Sequence, residues 1–366
     1  MQNPAGTRSG FMSGALSAQA LRRKIHRGEI IEAVTLDGGS LAEVDLLGAI
    51  FVNVTFREFA ASGRRMEECL FERCRLEQAN LRHHRISRCR FTHCLLPQAD
   101  FSHAILEETL FTDCSLAQGL FHAADLRDGQ MLEGSLAGAG FERATLRHWH
   151  FCRTLFDRTV FRDCRVLLAT LFQLDLRAAR FSGNHFERSV FFRCRHSGND
   201  YRDQQFLCCQ FNDNSLDGAD FTGSRLTQCN FSGAALQHAC LDGVDGEKAL
   251  FNACDLQDVR CRHSRLDHGQ FLCANLRSAD FSHSSLRHGL FRQACLNDSR
   301  MVACDLRHAD LSRSDMRAAD LRQARFERTL LHRADQRQSV FSHRRGILER
   351  DEALYAAECW RENTRA

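Results

Sequence analysis

ADFSH-AILEE-TLFTD-CSLAQ, residues 99–118, is four copies of one five-residue unit: a small residue, a spacer, a large apolar residue and two more spacers. Outward from this stretch the same unit runs without insertion or deletion for some 300 residues. Every position ending in 1 or 6, from Leu36 to Phe341, falls in one series. Of its 62 members, 56 are Leu, Phe, Met, Ile or Val. The exceptions are Ala61, His196, Tyr201, Gly246, Cys261 and Gln336, and no member of the series is Asp, Glu, Lys or Arg. Two residues earlier in each unit a second series runs from Val34 to Ser339. It also has 62 members, of which 53 are Ala, Cys, Ser, Thr, Gly or Val, and only Arg64 is charged.

A period of five matches neither the 3.6 of a helix nor the 2 of a strand. Over this length a straight helix would carry the apolar series round all its faces. The pattern requires a backbone that turns one corner per pentad and points two side chains of each unit inward. Stacked coils of that kind pair their backbones with one another and leave open edges only at the two ends.

The unit resembles the pentapeptide-repeat family, whose consensus is close to Ala-(Asp/Asn)-Leu-x-x, over about 85% of the chain. The resemblance implies an all-β fold, a right-handed quadrilateral β-helix with four pentads per coil. The 62 pentads then make 15.5 coils, a rod roughly 75 Å long at the ~4.8 Å spacing of paired strands. A four-sided section also follows from the residues themselves. Positions ending in 1 are mostly Phe and positions ending in 6 mostly Leu, which places Phe ladders on two opposite walls and Leu ladders on the other two.

The expected organisation is a mobile tail and helical cap over residues 1–33, the β-helix over 34–343 and a C-terminal helix over 344–366. Ser17 to Arg27 reads as a short helix with Ser17 as N-cap and Gly28 as its stop. After Gly346, ILERDEALYAAECWRE has a helical pattern with Leu348, Leu354, Tyr355 and Trp360 as its apolar residues. It is either a cap against end-to-end stacking or a dimerisation or docking element. The repeat weakens at Phe59 to Arg64 and again from Asn184 to Asn214, where Asn184, Asn199, Gln204 and Asn214 replace small residues and His196 replaces a Leu. Two readings stand for the second stretch: an internal hydrogen-bonded ladder, or a bent, partner-recognising region. Val244-Asp245-Gly246 reads as a local bulge.

Arg outnumbers Lys 47 to 2, yet the net charge is only +3, so charge implies neither a polyanionic partner nor DNA mimicry. In Asp305 to Arg322 acids and arginines alternate as neutralising surface pairs, which makes nucleic acid an unlikely partner. Eleven of the 18 cysteines occupy the small position of the repeat and read as buried, reduced hydrophobes. No stretch is long and apolar enough for a membrane span or a secretory signal. The expectation is a bacterial cytoplasmic protein, exported, if at all, by a specialised system without a cleaved signal peptide.

Candidate function lies on the outside. Around one Phe wall the outward positions are apolar: Ile50, Leu70, Leu110, Val190, Leu250, Leu290 and Leu330 precede its members, and Val52, Leu132, Cys152, Phe172, Phe192 and Leu272 follow them. With four pentads to a coil all lie on one side, with Leu132, Cys152, Phe172 and Phe192 on consecutive coils. They form either a binding surface or aliphatics tolerated on a β surface. His268, His288 and His308 line one corner and His263 and His283 another, as solvated corner residues or as a metal or pH site. No nucleotide-binding loop, paired Cys-x-x-Cys site or catalytic constellation stands out, so neither enzyme activity nor a cofactor is expected.

The function expected is a protein–protein interaction scaffold, with a homodimer as one form. The lead-in LRRKIHRGEIIEAVTLDGGSLAEVDL looks like pentapeptide-repeat proteins of bacterial secretion systems, which implies an effector or an accessory that loads one. The alternative is a protector of DNA gyrase of the Qnr or MfpA type. Those relatives imply a negative, DNA-like surface, whereas this chain is net positive and carries no interrupting loop.

Overall fold

The computed structural model describes residues 16–41, 44–60 and 65–363. The tail before residue 16 and the departures Ala61 and Arg64 lie outside the described residues.

Each pentad contributes a strand of at most three residues whose central member points inward, as in Leu110–Thr112 and Thr145–Arg147. Strands pair in parallel with the strand one coil on. The offset stays at four pentads from Ile30↔Ile50 to Asp320↔Val340. One face is a nine-stranded sheet from Ile30–Glu32 to Val190–Phe192, and another is an eight-stranded sheet from Met66–Glu67 to Gln205–Leu207. The remaining two faces are held largely by single bridges such as Ser115↔Ser135 and Asp100↔Leu120.

The chain turns its corners at positions ending in 3 or 8. From Gly48 to Gln338 every described corner has φ in the left-handed region, with one exception, Ala178. Between corners the two inward series fill the axis. Phe191, Phe211 and Phe231 stack at 4.6 and 4.9 Å along one wall, and Phe101, Phe121 and Phe141 at 4.9 and 4.4 Å along the opposite one. Polar members of the small series tie coils together by donating to the carbonyl 23 residues back. Thr109 Oγ1 bonds Ile86 O at 3.1 Å, and Cys114 Sγ bonds Phe91 O at 3.3 Å.

Between residues 65 and 340 each described pentad is bridged to its counterpart one coil on, except in two places: Leu155 is not bridged to Asp175, nor Arg180 to Asp200. The cause of the first is volume. Leu174 is buried where the coils on either side carry Thr154 and Cys194, and Phe156 is buried where the coils on either side carry Leu136 and Leu176. One coil below, Trp149 is buried in another small position, and a Cβ on Gly129 would lie 2.2 Å from its ring. An overfilled core shifts backbone, and here a rung opens.

The Asn and Gln residues of 184–214 do form an internal ladder. Asn184 Oδ1 accepts from Cys164 N–H at 2.9 Å and its Nδ2 donates to Phe161 O at 3.0 Å, while Asn214 repeats the pattern with Cys194 N–H and Phe191 O at 2.7 and 2.8 Å. The bulge expected at Val244 to Gly246 is absent. Asp245 bridges both Arg225 and Arg265 in register, and Leu266 occupies the room that Gly246 leaves, its Cδ2 lying 2.7 Å from where a Cβ would stand.

At the N-terminal end α1 (Ala18–His26) is capped by Ser17, whose side chain accepts from Ala20 N–H, and buries Leu21 on the first coil. A single turn, α2 (Gly38–Leu41), follows it. At the other end Thr329 pairs with Ile347, a register that shortens the last coil by two positions. Gly346 makes this possible, with φ +88° and room for no side chain, since a Cβ would lie 2.3 Å from Phe326 O. α3 (Glu352–Asn363) starts after Asp351, whose Oδ1 accepts from Leu354 N–H at 2.9 Å. Leu348 therefore stands on a two-residue strand ahead of the helix and not on it.

Candidate interaction surfaces

The nine-stranded face carries the apolar stripe. Strand register places Leu132 beside Cys152, Cys152 beside Phe172 and Phe172 beside Phe192. The last two rings stack at 5.8 Å and 15°, and the Arg193 guanidinium lies 5.3 Å from the Phe192 ring centre. Val190, Leu250, Leu272 and Leu290 lie on the same face, all half-buried like the four of the core stripe. Leu132, Cys152, Phe172 and Phe192 form a continuous ribbon on the parallel sheet, whereas Val190, Leu250 and Leu290 stand beside polar neighbours such as Gln210 and Gln270.

Apart from Ile30 at the first strand of this face, strongly exposed aliphatics of the coils also lie elsewhere. Leu155 is 64% exposed, and Leu95 and Leu120 are also exposed. They occupy outward positions on the two bridge-held faces. Each immediately precedes an inward residue, Leu96, Phe121 or Phe156, which is the sequence signal that marks them. Leu155 borders the open rung. With Ala137, Thr154, Phe156, Ala178 and the stems of Arg153 and Arg177 it lines a groove of ~730 Å³.

At the C-terminal end Leu354 is half-buried, while Tyr355 sits under the Arg350 guanidinium at 4.8 Å. Trp360 is 69% exposed. α3 is held through Glu358, which meets Arg313, Arg333 at 2.7 Å and the fully buried His332 at 3.2 Å. The Nδ1 of His332 accepts from Asp351 N–H at 3.2 Å, so its Nε2 carries the proton that goes to Glu358.

A family model described as a pentapeptide repeat region matches residues 64–141, and one described as pentapeptide repeats in eight copies matches 208–245, 254–298 and 294–333. Together they span more than half of the chain. The chain belongs to the pentapeptide-repeat family. Among solved structures this pentapeptide-repeat chain is similar to QnrB1, described as a plasmid-mediated fluoroquinolone resistance protein, at 16% identity over 54% of this chain and 96% of that one, with a TM-score of 0.37. It is also similar to HetL, a pentapeptide-repeat protein involved in heterocyst differentiation regulation in the cyanobacterium Nostoc sp., at 21% identity over 67% and 90% of the two chains, TM-score 0.30. No curated protein matches it in sequence.

The pentapeptide-repeat geometry also accounts for the histidines. Ten of the 18 stand at left-handed corners, a conformation that His, Asn and Asp adopt more readily than most residues. His268, His288 and His308 stack there at 4.7 and 4.8 Å, and His263 and His283 at 4.9 Å. Among the described residues no group of three His, Cys, Asp or Glu side chains is placed to hold a metal ion. All 18 thiols are free, and burial pushes those of Cys164, Cys254 and Cys304 up to about 12.

Asp and Arg that flank one inward residue clamp each other. Arg317 Nε and Nη2 reach the two oxygens of Asp315 at 2.9 and 2.7 Å, and Asp320–Arg322 and Asp335–Arg337 repeat this. The guanidinium holds the carboxyls of Asp315 and Asp320 below their ordinary value. The expected neutralising pairs are thus present within Asp305 to Arg322. No described helix is long and apolar enough to cross a membrane.

Proposed function

We infer that the protein is a non-catalytic scaffold that binds a protein partner through the stripe on its nine-stranded face. The observation that carries this reading is the line Leu132, Cys152, Phe172 and Phe192 on four successive coils, in a chain whose other outward positions are rich in charged pairs. Aromatic and aliphatic side chains on a rigid sheet lose little freedom on binding, which favours association. The uninterrupted repeat supplies no inserted loops, where catalytic groups usually gather.

Within that reading, the basic helix Ala18–His26 leading directly into repeats favours a bacterial cytoplasmic protein that is a secretion-system effector or loads one. A gyrase protector is the second candidate. The net charge of +3 speaks against it, because a DNA mimic needs a negative surface. The exposed Trp360 with Tyr355 and Leu354 supplies a second apolar element for a homodimer.

Phe172→Asp with Phe192→Asp tests the stripe. The double variant should keep its circular dichroism and melting temperature while partner capture from the native host falls at least tenfold. Unchanged capture by a folded variant removes the stripe from the function. A supercoiling assay with a fluoroquinolone separates the second candidate, with no protection expected.

A further inference from the structure

The open rung between 153–158 and 173–178 leaves two strand edges facing each other. In the closed rung below, Leu136 N–H donates to Leu155 O at 2.9 Å, Gly138 N–H to Asp157 O at 2.8 Å and Leu155 N–H to Gly134 O at 3.0 Å. One coil on, the equivalent bonds are not made. The N–H groups of Phe156, Arg158 and Asp175 and the carbonyls of Thr154, Asp175 and Arg177 have no backbone partner across the gap. The Ala178 corner beside it has also left the left-handed conformation of every other described corner from Gly48 to Gln338. The second open rung differs in part, because there Asn199 Oδ1 accepts from Asp200 N–H at 2.8 Å and Gln204 Nε2 donates to Arg202 O at 3.0 Å, so side chains of the chain itself take up some of the freed groups.

Two facing edges that offer both donors and acceptors complement an extended main chain, which presents both along its length. The rim carries charge, but that charge is already matched: Arg153 meets Glu133 at 2.5 Å, Arg158 meets Asp157 at 3.2 Å and Arg177 meets Asp175 at 2.6 Å. An occupant therefore needs no charge of its own, and Leu155 asks for an apolar side chain. We propose that the groove over this slot binds an extended, uncharged segment of a partner polypeptide, which lies along the open rung, pairs with its freed N–H and carbonyl groups and packs one apolar side chain on Leu155. The site is separate from the stripe, since Phe172 lies round the Gln173 corner on the adjoining face.

The test uses seven-residue peptides displayed on phage and selected on the folded full-length chain. Enrichment of uncharged sequences with a central apolar residue is expected. The synthetic peptides should lose at least tenfold in affinity when alternate backbone nitrogens are methylated. A comparable loss is expected with Leu155→Arg, which alters only an exposed side chain, while Phe172→Asp/Phe192→Asp leaves binding unchanged. Bound peptide should also slow hydrogen exchange at Phe156, Arg158 and Asp175. Phe156→Leu with Leu174→Ala should close the rung, slow those amides without peptide and abolish binding; if that variant fails to fold, Leu155→Arg still decides. No enrichment, or binding indifferent to N-methylation or to Leu155→Arg, overturns the proposal.

Discussion

Cys114 shows what one residue does in this fold. Its thiol donates to Phe91 O and its sulfur faces Cys94 N–H at 3.4 Å, so it serves as a small hydrophobe that also satisfies a coil-to-coil bond. Burial that raises such thiols removes the reactive thiolate. Under native conditions a thiol reagent should label the six cysteines that are not buried, with Cys273 fastest, and leave twelve until the chain unfolds. Rapid labelling of all 18 would contradict the packing. His196 is the opposite case. It is fully buried, with Nδ1 2.6 Å from the Tyr201 hydroxyl, and burial lowers its pKa to about 3. The unfolded chain takes up a proton near pH 6.5 that the folded chain refuses, so stability falls with pH from there down to about 3. The loss by pH 4.5 is on the order of 3 kcal/mol. His196→Leu with Tyr201→Phe should reduce the fall of denaturation midpoints between pH 6.5 and 4.5, leaving the smaller part due to histidines such as His84, whose value burial also lowers. The inward series was legible residue by residue because burial excludes charge. The left-handed corners were not, since φ leaves no mark on an apolar pattern; the His, Asp, Gln and Gly at positions ending in 3 or 8 were the available signal.

At the scale of elements, short strands gain their stability from the stack and not from length. α1 was readable from Ser17 and Gly28 because capping is local chemistry. α3 was readable only in outline: its start depends on Asp351, and its anchoring on Glu358 reaching Arg313, 45 residues away in sequence. His332→Ala should free α3, at a local cost of about 1–3 kcal/mol for the broken bonds. Proteolysis between 349 and 363 should then accelerate while the melting of the coils is unchanged. Unaltered proteolysis would show that the helix is held by something else. The open rung was partly visible, since Leu174 and Trp149 stand out in the small series. Their consequence was not, because it depends on the summed volume of Phe151, Phe156, Leu171 and Leu174 around one level of the axis.

At the scale of the molecule, the coils make a rod whose surface is mostly charge-compensated, with one continuous apolar stripe on the nine-stranded face and single exposed leucines such as Leu95, Leu120 and Leu155 on two others. The stripe was legible because a coil of four pentads aligns Leu132 with Cys152, Phe172 and Phe192. The groove at Leu155 was not, because it exists only where the ladder fails. All of this requires that four pentads advance the chain by one strand spacing, about 4.8 Å. Pulsed electron–electron distances between spin labels at Arg177, Arg277 and Arg317, in a chain whose accessible cysteines are replaced by serine, measure that advance directly. Labels at 177 and 277 should lie about 24 Å apart and labels at 177 and 317 about 34 Å apart, in steps of ~4.8 Å per coil. Distances that do not grow in proportion to the number of coils would contradict the stacked, four-sided geometry.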